Sequence, residues 1–370
     1  MELLHLSAAG PLALATPPNQ LPSGGFVWCA LSQDELSTDP HTWLTQLERW
    51  VGVPLLELHL RDLLNTQHPS NHDDTRHYDL VILRQLATPA DSPSTATGTT
   101  PSHAPPIATS RPRKRLGPPI LARLHTLPVG MVVFERLLLS VHAEHCPTRA
   151  DMLQRLVAMS PGKLPTSPAD LMLRMASHLV DRFLDLRKPL TDQLDHWEAA
   201  LLDPGTRFVN WRALLAARNH LHALEDLCDS QRNALQKWLR NLEEQSTSHE
   251  AAAVLNEREL LRARSRDVIE HIDRMVRHVQ RLATNTETAV QMHFSAQSHR
   301  TNEIMKMLTA LTAIFLPLNF ITGFFGMNFE FLPLIHTSLG LWWAVGAMVV
   351  VAGALGIVFW RNRYLARSQT

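Results

Sequence analysis

The spacing of apolar positions changes character twice along this chain. Residues 3–8, 25–31, 78–85 and 131–142 are short apolar or β-branched runs, the pattern of buried strands, and helical spacing falls between them at 42–51 and 55–64. This predicts an α/β domain over residues 1–165. Residues 1–16 carry Glu2 but no Lys or Arg, so they lack the basic start of a secretory signal and read as the first strand. Residues 89–119 hold eight of the chain's 24 prolines among many Ser and Thr. Such a stretch cannot bury enough apolar surface to offset its ordering entropy, which predicts a disordered insertion between two strands. Its Arg111, Arg113, Lys114 and Arg115 read as a solvated basic loop.

From residue 167 the strand signals vanish. Helical periodicity covers 169–202 and 211–244 with Pro204-Gly205 as breaker, predicting a helical hairpin over 166–247. Thr247 and Glu250 have the spacing of a capping box and start a third helix, expected over 248–325. Continuous to its end, that helix extends about 110 Å. A stalk this long needs neighbours, as in an oligomer.

Residues 308–325 form an 18-residue run without a charge, and residues 339–360 a second of 22. The first alone covers about 27 Å, close to a bilayer core. Two C-terminal transmembrane spans follow, in contact with the lipid bilayer. Trp342, Trp343 and Trp360 mark the ends of the second, where indoles favour the interface. Arg300 and Lys306 precede the first span and Arg361, Arg363 and Arg367 follow the second, within a basic tail at 361–370. The connecting loop 326–338 holds only Glu330 as a formal charge. The positive-inside rule therefore places both termini in the cytoplasm and the loop outside, in a multi-pass protein of the cell inner membrane.

Charge and motifs narrow the function. Lys+Arg and Asp+Glu are equal at 35 each, so no global basic field marks a nucleic-acid binder. Cys29, Cys146 and Cys228 are far apart in sequence and fit free thiols on a reduced cytosolic face. No phosphate loop, dinucleotide fingerprint or nucleophile elbow occurs, so neither an enzyme nor a resident cofactor is expected. His68, His72, Asp73, Asp74 and His77 are dense enough to hold a transition metal if the segment curls, and otherwise read as a polar loop leading into a strand. His142, His145 and Cys146 offer a triad on paper, at a strand end expected to face solvent.

Along the third helix, alternating steps of four and three link Thr284, Thr288, Gln291, Ser295, Ser298, Asn302, Met305, Thr309, Thr312, Leu316 and Asn319. All but Met305 and Leu316 are polar and uncharged. The adjacent seam, including Phe294, Ile304, Leu308, Leu311, Phe315 and Leu318, is apolar. An uncharged amide and hydroxyl stripe continuing into the bilayer suits a narrow water-filled pore, with Met305 and Leu316 as apolar rings able to gate by dewetting. The competing reading has Thr309 and Thr312 bonding back to their own helix and Asn319 joining neighbouring helices. Pro317 removes one backbone bond within the span.

The first span closes on Gly326-Met327-Asn328, followed by Phe329-Glu330 and a short loop to the second. With Lys306-Met307-Leu308-Thr309 and Phe315-Leu316-Pro317-Leu318 before it, this region resembles the CorA family of divalent-cation (Mg2+/Co2+) transport proteins. The resemblance implies a funnel-shaped homopentamer with five copies of the first span around one axial pore. It implies a selectivity filter of Gly326, Met327 and Asn328, in which Asn328 forms a ring of amide oxygens around a hydrated ion, with Glu330 adding negative charge at the external mouth. Asn302, Met305, Leu308, Thr312, Leu316 and Asn319 match the family's pore-lining series, and Thr309 lies on the same seam. Asn319 stands where many relatives carry threonine, and Gln291 where an acidic ring can occur. Asp267 falls where relatives place an acidic regulatory metal ligand; a surface salt bridge to Arg264 or Arg274 is the alternative.

Passive uptake of Mg2+, with Co2+ and Ni2+, is the expected function, the dication serving as substrate and regulatory ligand. A ZntB-like zinc transporter, run by proton coupling, is the alternative within the class. A non-conducting, membrane-anchored metal sensor or scaffold is the alternative outside it.

Overall fold

The computed structural model describes residues 1–87, 125–144, 146–202, 211–244, 252–327 and 338–361. The Pro-rich stretch 89–119, the Pro204-Gly205 breaker and the Thr247–Glu250 capping box lie outside these described residues. Two compact units divide the chain, Met1–Glu287 and Thr288–Thr370.

The first unit is built on a seven-stranded sheet of order β2-β1-β3-β7-β6-β5-β4. Its strands are β1 (Glu2–Ser7), β2 (Gly10–Ala13), β3 (Phe26–Ser32), β4 (Asn71–Asp74), β5 (Asp79–Leu86), β6 (Thr126–Val133) and β7 (Leu137–His142). Only β3 and β7 pair in parallel among the described strands. The run 131–142, read from sequence as one strand, is the end of β6, a turn and β7, paired antiparallel. Gly25 leads into β3 with φ +72°, and a Cβ there would collide with the Leu6 carbonyl, so the crossing requires glycine.

Alternation along the strands assigns the two sheet faces. Val27, Cys29 and Leu31 of β3 join Leu137, Leu139 and Val141 of β7 in a core covered by α1 (Gln33–Thr38), α2 (Pro40–Val51) and α3 (Glu57–Leu64). Helix α1 starts in a capping box: the Glu35 amide donates to Ser32 Oγ (3.1 Å) and the Ser32 amide to Glu35 Oε2 (2.8 Å). Across the other face lies α5 (Pro168–Leu184), after α4 (Pro147–Ala158).

A buried polar string runs under that second cover. Trp28 Nε1 donates to Ser140 Oγ (2.8 Å), which also meets His142 Nε2 (2.8 Å); Cys146 Sγ lies 3.5 Å from His142 Nδ1, and Gln85 joins Cys146 and Thr148. His142 and Cys146 are therefore core residues, 0% and 4% exposed, and do not face solvent as their place after a strand suggested. Residue 145 lies outside the described residues. Burial, with the Arg149 charge second, pushes the His142 pKa down from 6.5 to about 3.

The helical half of this unit continues as α6 (Arg187–Leu202) and α7 (Trp211–Glu244). The periodicity at 169–202 is thus two helices, parted where the Leu186 amide bonds to the Phe183 carbonyl (3.1 Å). Helix α7 packs on β5 and the edge strand β4: Asn241 donates to Asp79 (3.1 Å) and Gln231 to the Arg84 carbonyl (2.7 Å) of β5, and Trp238 meets the His72 ring of β4 edge-on. Helix α8 runs unbroken from Ala252 to Phe325 with Pro317 inside it. Leu261, Ser265, Val268, Ile272, Met275, Val279, Leu282, Thr286 and Ala289 are all buried, in steps of four and three. Asp170 of α5, with no exposed surface, is held by Arg174 of its own helix (3.1 Å) and by Arg264 of α8 (2.7 Å).

In the second unit, α9 (Ser338–Arg361) and the last part of α8 contain the two apolar stretches, and only 6% of each is buried inside the chain. A core helix of a soluble protein would be mostly covered, so these faces need lipid or other copies of the chain as solvent.

Two tests follow. Arg264→Ala leaves Asp170 buried with Arg174 as its one ionic partner, beside the Thr166 amide, and should lower unfolding free energy by about 2–3 kcal/mol, the low end for a buried pair because Arg264 keeps part of its surface in water. Arg274→Ala, which breaks an exposed pair with Glu270, should leave the denaturant midpoint of the detergent-solubilised protein unchanged. The second test is acidification. The unfolded chain takes up a proton at His142 near pH 6.5 and the folded chain only near about 3, so stability falls as pH drops through that window. The slope from this residue is about 1.4 kcal/mol per pH unit, and urea midpoints of His142→Gln should show it removed.

Candidate ion pathway

The polar seam of α8 passes from the first unit's edge into the apolar stretch. Up to Ala289 the helix buries its heptad face; from there to Thr309 nearly every residue is exposed. Asn302, Thr309, Thr312 and Asn319 are exposed, as are Met305 (61%), Leu308 (62%) and Leu316 (69%). One helix face therefore presents all seven expected pore-lining positions without any being used for packing within the chain.

Hydrogen bonding separates these positions. Thr309 Oγ1 donates to the Met305 carbonyl and Thr312 Oγ1 to the Leu308 carbonyl, each at 2.8 Å. The bond-back geometry offered as the alternative reading is thus present. A hydroxyl engaged this way keeps acceptor lone pairs, so it can also face water. Pro317 has no amide hydrogen and leaves the Ala313 carbonyl without its helical donor.

The helix closes at the motif. The Gly326 amide donates to the Thr322 carbonyl (2.9 Å) and the Met327 amide to the Phe324 carbonyl (3.4 Å), tightening the last turn. A Cβ on Gly326 would stand 3.0 Å from the Thr322 carbonyl oxygen. That contact is tight, and Gly326 is not among the glycines with positive φ. Met327 is 47% exposed. Asn328 and Glu330 lie outside the described residues.

Asp267 is well exposed on α8. Its nearest ionic neighbour is His271, at 3.8 Å, whose other ring nitrogen lies 3.2 Å from Asp181 of α5. Neither arginine named as its alternative partner pairs with it: Arg264 goes to Asp170 and Arg274 to Glu270. Asp267 and Asp181 share a cleft of about 250 Å³ with Arg155, Arg174, His178 and Arg264. Burial and the Arg155 charge lower the His178 pKa.

The histidine-rich segment does not converge. His68 precedes β4, His72, Asp73 and Asp74 lie on it and His77 is in the turn before β5, and three of the groups pair separately: His68 with Asp62 (3.5 Å), His72 with Asp79 (3.0 Å), and Asp73 with His59 (3.8 Å). Among the described residues no group of three or more His, Cys, Asp or Glu is arranged to hold a metal ion.

Known proteins match this architecture. Residues 119–361, more than half of the chain, match the family described as CorA-like Mg2+ transporter protein. The cobalt/magnesium transport protein CorA of Thermotoga maritima is 33% identical over 100 residues, 27% of this chain and 28% of that protein. The complete structure of the CorA magnesium transporter from Methanocaldococcus jannaschii superposes with a TM-score of 0.67 at 17% identity, covering 98% of both chains. The ZntB cytoplasmic domain from Vibrio parahaemolyticus gives 0.54 at 13% identity, covering 81% of this chain and 98% of that one. At such identities the structures show a shared fold. A sheet-bearing N-terminal unit, one long helix and two apolar C-terminal helices therefore agree with the sequence match, and the chain belongs to the CorA-like Mg2+ transporter family.

Proposed function

We propose that five copies of this chain enclose one axial pore through which divalent cations, Mg2+ first among them, enter the cell passively. The observation that carries this reading is the α8 seam. From Asn302 to Asn319 it is uncharged, with polar Asn302, Thr309, Thr312 and Asn319 interrupted only by Met305 and Leu316; it is free of packing within the chain, and it lies on an apolar helix that ends at Gly326-Met327.

The chemistry follows from the ion. Mg2+ sheds water reluctantly, so neutral oxygens that bond to its hydration shell can select it without trapping it. Asn328 supplies such oxygens at the outer mouth, supported by Gly326 and Met327, and Glu330 concentrates cations there. Below them Asn319, Thr312, Thr309 and Asn302 line the path, while Leu316, Leu308 and Met305 form apolar constrictions. Both termini lie in the cytoplasm, and Lys306 and Arg361 face the inner headgroups. A membrane potential supplies the driving force, about 4.6 kcal/mol per dication per 100 mV (2.3 per charge). Asp267, exposed and only loosely held by His271, acts as the regulatory ligand for internal dications.

The fold alone does not choose between magnesium and zinc, since a ZntB domain shares it. Flux into proteoliposomes decides. Purified protein under an inward-negative potential should admit Mg2+ or Co2+, and Asn328→Ala should reduce that entry at least about tenfold. Zinc flux that follows an imposed pH gradient would assign the chain to proton-coupled zinc transport. Absence of any flux from a folded oligomer would leave the sensor or scaffold.

A further inference from the structure

The cleft of about 250 Å³ between α4, α5 and α8 lies wholly within the first unit, and its charges are sorted by sign. Asp170 meets Arg264 near the start of α5 and Asp181 meets His271 near its end, so α5 and α8 run in the same direction. Along both, the arginine comes first and the carboxylate later: Arg174 then Asp181 on α5, about 10 Å apart along the axis, and Arg264 then Asp267 on α8. One end of the cleft is cationic and the other anionic.

Three guanidiniums share the cationic end, and one carboxylate serves two of them. Arg174 and Arg264 both reach the buried Asp170, at 3.1 and 2.7 Å. Arg264 does so through Nε, and its two terminal nitrogens have no partner among the described residues. Arg155 of α4 is exposed and has no partner among them either. His178 also lines the cleft, only 8% exposed, and its Nε2 makes no hydrogen bond, with Asp151 standing 3.5 Å away. Two positive charges left over after Asp170 call for an anion with several oxygens, and guanidinium forks match phosphate.

The anionic end has the opposite need. Asp181 and Asp267 both face His271, at 3.2 and 3.8 Å, and among the described residues no third carboxylate joins them in the cleft. Two carboxylates do not enclose a dication. Mg2+ is usually held by one or two carboxylates together with phosphate oxygens and water, not by a cage made of protein alone.

We infer that the cleft binds a polyphosphate together with its chelated dication, the phosphates on Arg155, Arg174 and Arg264 and the remaining ligands of the ion from Asp181 and Asp267. This rests on the reading of Asp267 as a dication ligand, and it makes the chelate, not the bare ion, the species that is bound. A single ligand then completes both ends. Pockets that enclose a drug-sized ligand run to about 300–1,000 Å³, so the smaller cleft takes the phosphate head and leaves a nucleoside outside. The ligand lies where Arg264 joins α8 to α5, so the long helix senses the ion and the phosphate together.

Calorimetry on the full-length protein in detergent tests this, with MgATP, ATP in EDTA, magnesium triphosphate and Mg2+ alone as titrants. MgATP should bind at least about tenfold more tightly than ATP in EDTA, and magnesium triphosphate should come within about threefold of MgATP. Arg155→Ala removes an exposed side chain that pairs with nothing in the chain, so the fold is kept. It should weaken MgATP at least about tenfold and leave Mg2+ alone within about twofold, while Arg155→Lys should recover part of the loss. Asp267→Asn should remove the advantage of MgATP over ATP in EDTA. Arg274→Ala, which breaks an exposed pair outside the cleft, should bind like the parent.

Parent-like MgATP binding in Arg155→Ala overturns the inference, whatever Asp267 holds. Equal binding of ATP with and without Mg2+ also overturns it and leaves a plain anion site, and binding of MgATP without magnesium triphosphate places recognition on the nucleoside and away from the cleft. If the parent binds Mg2+ through Asp267 but no phosphate compound, the inference falls and the reading of Asp267 stands. If Asp267→Asn changes neither Mg2+ nor MgATP binding, both fall.

Discussion

A carboxylate with no exposed surface fastens the long helix to the N-terminal unit. Asp170 sits in the first turn of α5, directly over the sheet, and takes Arg174 from its own helix and Arg264 from α8. Taking three charges out of water is costly, and an apolar replacement of similar volume would serve stability as well. What the triad supplies is register. The buried face of α8 runs from Leu261 to Ala289 in steps of four and three, and such a seam is nearly as comfortable when shifted by one heptad. Arg264 meets Asp170 in one register only, and α8 continues from there as the first apolar stretch.

The same helix works in two environments, and its sequence shows the change. Through the first unit, charges lie on the outer face and pair across to α7, as Arg232 does with Asp273 and Arg218 with Glu287. Beyond Ala289 the buried heptad ends, and from Leu308 to Phe325 charges are absent. A helix this long has little choice of conformation, since its backbone bonds are satisfied internally whatever surrounds it. What differs along it is the identity of its lateral partner.

Much of this was legible beforehand because the signals were long. The two charge-free stretches, the polar seam and the central strands β3 and β5 each rest on many residues of one kind. The elements missed were short or polar. Strand β4, Asn71-His72-Asp73-Asp74, has no apolar pattern and exists because β5 and α7 complete it. Helix α1 is six mostly polar residues, yet Ser32 and Glu35 already stood in capping-box spacing, a signal that would have found it. The break between α5 and α6 was announced by Pro189, in the first turn of α6, whose ring cannot continue a helix from before it; that signal went unread. His142 and Cys146 were placed in solvent because they follow a strand; three-dimensional cover by α4 and α5 put them in the core, where hydrogen bonding to Ser140 and Gln85 makes neutral forms tolerable.

The absence of charge on the seam is itself a physical argument about what can move along it. A ring of carboxylates inside a low-dielectric span would attract a dication strongly and release it slowly, because Coulomb attraction there is far less screened than in water. Apolar lining alone would present the opposite difficulty, a path that an ion cannot enter with its water. Neutral amides and hydroxyls lie between these limits: they compensate a hydrated ion's outward-facing hydrogens without holding its charge. Asn302, Thr309, Thr312 and Asn319 are of that intermediate kind, and the formal charges nearest to them, Glu303 and Lys306, stand before the apolar stretch begins. On the proposed pore reading, this composition suits passage rather than storage, with binding weak at each step.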